Sequence, residues 1–184
     1  MIIRSITIIG LFSFSIFCLS CGESSGDKLV SDIPSEQVEF QEARNTFYSS
    51  YQNAPNEIKK SNVFNASREH TCTYKQKYGD SFSNWTGTVS TLSTDQGGDE
   101  VTVFSIVSDE QGIPVVYKEL GIKRGSPLYT QISELAIGQK VHFSFTFEDE
   151  SFSTNVKECY DEMSITELGS LEEPEFRVSF KSIR

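Results

Sequence analysis

The sequence predicts a mainly β domain with α, a five-stranded barrel in the order β-β-β-α-β-β behind an N-terminal amphipathic helical segment. Three observations carry that expectation. Val141, Phe143, Phe145 and Phe147 alternate with His142, Ser144 and Thr146, and Phe176, Val178 and Phe180 repeat the pattern near the C-terminus. A two-residue period of this kind belongs to half-buried strands. Stretches rich in Thr and Val flank the turn residues Asp95-Gln96-Gly97-Gly98-Asp99, which is a hairpin pattern. Phe40, Ala43, Phe47, Tyr51, Ala54 and Ile58 recur at three- and four-residue steps, the stripe of a helix laid on a core.

The first twenty residues stand apart from this domain and read as an export signal. Arg4 is a thin positive start, residues 6–17 form an apolar run, and Cys18-Leu19-Ser20-Cys21 follows. A small residue before a cysteine resembles the bacterial lipobox, with Cys18 in place of the usual Leu. That resemblance implies cleavage before Cys21 and lipid on its thiol. A membrane-spanning helix needs about 20 apolar residues, and the run ending at Leu19 falls short.

Residues 22–34 are small and polar and read as a tether. Its 13 residues reach about 45 Å when fully stretched and nearer ~20 Å as a coil. The division expected is therefore 1–20 signal peptide, 21–34 tether, 35–71 helical segment and 72–184 barrel. Ser35 or Asp32 is positioned to cap the first helix, and Pro55 breaks it, so that a second, short helix begins near Asn56.

Trp85 to Thr94 and Glu100 to Ser108 read as the hairpin strands, and residues 114–120 as the third. Ser126-Pro127 is a helix start, with serine as cap and proline at the first helical position. Leu128, Ile132 and Leu135 give that helix its apolar face, and Gly138 ends it. The Phe-alternating strands complete the order. It is the order of the OB-fold, a small five-stranded barrel with a helix between its third and fourth strands.

Local sequence adds a resemblance. Asn56-Glu57-Ile58-Lys59-Lys60-Ser61, Trp85-Thr86-Gly87-Thr88-Val89, Gly125-Ser126-Pro127-Leu128-Tyr129, Gly138-Gln139-Lys140-Val141-His142-Phe143 and residues 164–180 resemble a group of uncharacterised bacterial lipoproteins with an OB-like domain described as tRNA-anticodon-like. The resemblance spans most of residues 40–184. It implies a barrel and an envelope address, and it carries no activity. The tRNA in that description is a fold analogy, which does not establish a function.

Charge narrows the partners. Setting aside Arg4, the only charge in the first twenty residues, the 16 Lys and Arg against 26 Asp and Glu leave a net charge of −11. That field repels polyanions, so nucleic acid is not expected as a partner. Tyr74-Lys75-Gln76-Lys77-Tyr78 interleaves aromatics with lysines as single-strand binders do, but it reads better as an edge strand or loop.

Once Cys18 leaves with the signal and Cys21 takes lipid, Cys72 and Cys159 remain in an oxidising compartment and are expected to pair. The ring they close holds 88 residues, for which chain entropy gives at most about 4.6 kcal/mol.

Catalytic and cofactor chemistry find no pattern. His70 and His142 stand in no metal spacing, and Gly79-Asp80-Ser81 reads as a loop without a matching acid–histidine pair. Glu148-Asp149-Glu150 and Glu158, Asp161 and Glu162 lack the alternating spacing of a calcium loop and read as a solvated charged connection. Residues 148–174 carry nine acids against one base, Lys157.

OB barrels meet ligands with their second and third strands and with the first-second and fourth-fifth loops. Asp95, Asp99, Glu158, Asp161 and Glu162 are therefore the candidate binding residues, for a cationic or protein partner. The function expected is that of a non-enzymatic binding module anchored in the envelope, with the outer membrane favoured in a Gram-negative cell. An envelope hydrolase and a structural component of an envelope complex are the alternatives.

Overall fold

The computed structural model describes residues 33–79, 81–109, 112–148 and 159–184. Two helices come first, α1 (Ser35–Gln52) and α2 (Glu57–Tyr78). Strands β1 (Ser81–Thr94), β2 (Glu100–Ser108) and β3 (Val115–Lys123) follow, then α3 (Pro127–Ile132) and β4 (Lys140–Phe147). Short β5 (Asp161–Glu162) and α4 (Gly169–Glu172) precede the last strand, β6 (Glu175–Ile183). Asp32, the signal, Cys21 and almost all of the tether lie outside the described residues, as does Glu158.

Pairing closes the barrel. The strands run β3-β2-β1-β4-β6, all antiparallel neighbours, and β6 returns to pair with β3 in parallel, Tyr117 opposite Phe176. The strand β5 lies outside, against the start of β6. Mainly β with α, and an OB-like order of strands and helix, are therefore correct. β5 and α4 are additions to the predicted order, both within the long connection between β4 and β6.

Three local devices shape β1, which serves two neighbours along its length. Asn84 adopts φ 61° where the β1–β4 register shifts between Phe82 and Trp85, a left-handed conformation that asparagine tolerates at a bulge that bends the strand. Gly87 sits where β1 meets β2. A Cβ there would lie 2.6 Å from Ile106 Cγ2 and 2.8 Å from the Val107 carbonyl oxygen. At the far end the Asp95 carboxylate accepts from the amides of Asp99 (2.8 Å) and Glu100 (3.2 Å) and fixes the hairpin turn.

The interior is aromatic. Trp85, Phe104, Tyr117, Phe143, Phe145 and Phe176 are each at most 1 % exposed. Their rings meet in tilted and edge-to-face pairs such as Trp85–Tyr117 and Trp85–Phe145, at 5.7 and 5.1 Å, the arrangements that ring quadrupoles favour. Phe40 of α1 joins them, within 6.2 Å of Tyr74, Trp85, Phe147 and Phe176. It closes one end of the barrel. Ile132 of α3, fully buried, is part of the same core. Ser126 caps that helix through the Tyr129 amide, with Pro127 at its start, as the sequence predicts.

The helical segment departs from expectation in three ways. α2 is long, not short: Asn56 caps it through the Lys59 amide, and it runs past 71 to Tyr78. Residues 74–78, read as strand or loop, are therefore helical. Pro34 rather than Ser35 precedes α1, with no side-chain cap. The buried face of α1 is largely polar, carrying Gln37, Gln41 and Arg44 beside Phe40 and Tyr51, while Ile58 is 75 % exposed.

Each buried polar side chain on that face has an assigned partner. β1 pairs with β2 only from Thr88, so the backbone of Thr86 needs another partner, and Gln37 supplies it. Gln41 Nε2 donates to the carbonyl and hydroxyl of Ser108 (2.8 and 3.0 Å). Arg44 turns to α2, donating to the Ser67 hydroxyl and carbonyl (both 2.9 Å) and to the Thr71 hydroxyl.

Candidate interaction surface

The five predicted binding residues do not form one site. Asp95 is engaged in its own turn, and Asp99 pairs with Arg124 at 2.9 Å. Both stand at the end of the barrel where Glu100 faces Lys123. Asp161 and Glu162 stand at the other end, since they pair with Arg177 and Phe176, next to the start of β3. A partner touching both sets would have to run the length of β2 and β3.

Asp161 and Glu162 are also not part of a solvated loop, which corrects that reading of the acidic connection. Asp161 accepts from Arg177 at 3.0 Å, with its side chain 20 % exposed. Glu162 enters a polar cluster between α1, α2 and β5 that includes Arg44 and Tyr160. Burial raises the Glu162 carboxyl above its ordinary value, opposed by contact with Ser170 and by the charges of Arg44 and Arg68. Burial likewise pushes the Tyr160 phenol up to about 12 and lowers the Arg44 guanidinium. Arg44 Nε and Glu162 Oε1 make no hydrogen bond, so the cluster is incompletely satisfied, a costly state in a low-dielectric interior.

This cluster is one of several ties between the helical pair and the β4–β6 connection. Cys72 on α2 and Cys159 are bonded as a disulfide, with Cα atoms 5.6 Å apart, in accord with the pairing expected from sequence. Lys75 Nζ donates to the Cys159 carbonyl at 2.8 Å. Ser61 donates to the Glu167 carboxylate at 3.0 Å. The connection is thereby fastened along the length of α2.

On its outer side the connection forms a recess of about 360 Å³ lined by Met163, Ser164, Ile165, Gly169, Glu172, Glu173 and Glu175. Glu175 is paired with Lys118 at 2.7 Å. Ile165 is 99 % exposed and Leu168 40 %. The sequence places acids in this region, and the candidates named from it, Glu158, Asp161 and Glu162, do not line this recess among the described residues. The signal available was the apolar pair Ile165 and Leu168 set among carboxylates.

A second groove, of about 560 Å³, opens at the turn between α1 and α2 and is lined by residues including Phe47, Ala54, Pro55, Lys59 and Val63. His70 lies between the rings of Phe47 and Tyr74. Burial and the Arg44 charge lower its pKa. Among the described residues no group of three His, Cys, Asp or Glu is placed to hold a metal ion, and no helix is long and apolar enough to cross a membrane. No family model, curated protein or solved structure matches the chain.

Proposed function

We propose that this chain is a lipid-anchored module of the bacterial cell envelope that binds another envelope protein through the outer surface of its barrel and the connection pinned to it. The anchor is supported by the apolar run and Ser20-Cys21, and by the resemblance to bacterial lipoproteins. Binding at the outer surface is supported by one observation above all. The barrel interior is filled by its own aromatic side chains and closed at one end by Phe40, so a partner is met on the outside. The mature charge of −11 favours a basic partner over a polyanion. In a Gram-negative cell the outer membrane is the favoured address, because Gly22 stands where aspartate would signal inner-membrane retention.

Fractionation of cells producing the native chain and a Cys21→Ser variant tests the anchor. The native chain should sediment with membranes and be released by detergent but not by salt, while the variant should be soluble. Equal distribution of the two would overturn the reading.

A further inference from the structure

We infer that Ile165 and the acidic recess beside it form a docking knob for a basic, apolar-flanked segment of a partner protein. This deepens the proposed function and rests on it. The knob is built rather than incidental. On one side of Ile165, the Ser164 hydroxyl accepts the Glu175 amide at 3.1 Å. On the other, the Thr166 hydroxyl accepts the Gly169 amide at 3.0 Å and its carbonyl accepts from Ser170. The polar atoms of both neighbours are thus tied to the segment's own backbone and side chains, and the isoleucine between them is 99 % exposed. The segment cannot fold away to hide it, because Leu171 is fully buried just beyond and β5 is paired to β6 just before.

Neighbouring residues widen the apolar surface and set its charge. Ser61 holds Glu167 against α2, and Leu168 beside it is 40 % exposed. Glu172 and Glu173 border the recess and form no ion pair among the described residues. An exposed apolar patch with a polar rim marks an interaction site, and its carboxylates select the occupant. A basic side chain entering the recess gains their attraction while apolar neighbours cover Ile165 and Leu168. An anionic lipid surface would be repelled, and so would a second copy of this acidic chain.

The test uses the full lipid-bearing chain in zwitterionic nanodiscs, with empty nanodiscs subtracted. The probes are two fluorescein-labelled twelve-residue peptides, one alternating leucine with arginine and one alternating leucine with glutamate. Fluorescence polarisation should show the arginine peptide binding and the glutamate peptide not. Ile165→Ser and the double variant Glu172→Gln, Glu173→Gln should each weaken binding about tenfold, equivalent to ~1.4 kcal/mol. Asp95→Asn with Asp99→Asn, at the other end of the barrel, should leave it unchanged. Equal binding by all variants, equal binding of both peptides, or no binding at all would overturn the knob, as would self-association or vesicle binding lost in Ile165→Ser. None of these outcomes bears on whether Cys21 carries lipid, so the knob and the anchor fail separately.

Discussion

The side-chain amide of Gln37 pairs with both backbone groups of Thr86, its Nε2 donating to the carbonyl at 2.7 Å and its Oε1 accepting from the amide at 2.8 Å. A glutamine on α1 thus takes the place of a strand residue where β2 has diverged from β1. Gln37 is 1 % exposed, so no water replaces it readily. Gln37→Leu should leave the buried Thr86 amide without its partner, while the carbonyl keeps the Ser108 hydroxyl at 3.0 Å, and should cost about 1–3 kcal/mol. Urea denaturation measures it, and a loss below ~0.5 kcal/mol would show that the ladder does not depend on this side chain.

Gly87→Ala tests the crossing of β1 and β2. The added methyl would press on Ile106, a member of the buried core, and on the carbonyl of Val107, which is paired with Thr88, at 2.6 and 2.8 Å. A loss of about 1–3 kcal/mol is expected, as for other overpacked cores. An alanine tolerated without change in the denaturation midpoint would mean that the strands separate there at no cost.

The Glu162 carboxyl gives a pH dependence whose sign can be worked out. Burial raises its folded-state pKa above the ordinary 4.5, so the folded chain holds that proton more tightly than the unfolded one. The stabilisation is complete below 4.5 and is lost as pH rises through the folded value. Wild type should therefore lose stability relative to Glu162→Gln on going from about pH 4 to pH 7. Urea midpoints across that range check it. A wild type that gains on the variant as pH rises would show that attraction to Arg44 outweighs desolvation.

The Cys72–Cys159 bond should be present in protein isolated without reductant, where peptide mapping would find the two peptides linked. Replacing both cysteines with serine should cost about 2–5 kcal/mol and loosen the β4–β6 connection from α2. Complete alkylation of both thiols in freshly isolated native protein would contradict the bond.

The parts of this fold that were legible in the sequence are those where side-chain period and burial agree. The alternating phenylalanines of β4 and β6, the glycine turn at 95–99 and the Ser126-Pro127 helix start each state a local rule that the tertiary structure keeps. The polar face of α1 is not legible in an apolar stripe, because Gln37, Gln41 and Arg44 are buried by hydrogen bonding rather than by hydrophobicity. Their spacing with Phe40 and Phe47 was the available signal. The length of α2 is hidden because Lys75 and Lys77 look like edge residues, whereas Tyr74 just before them is 2 % exposed and donates to the Glu36 carbonyl of α1. Asp161 and Glu162 look solvated in the sequence because nothing local reveals Arg177 opposite one and Arg44 near the other.

The lipid anchor is the central claim of the functional account, and intact mass measures it directly. The membrane-extracted protein should begin at Cys21 and carry the added mass of a diacyl- or triacyl-cysteine. A water-soluble product with an unmodified Cys21, or one that retains residues 1–20, would contradict it.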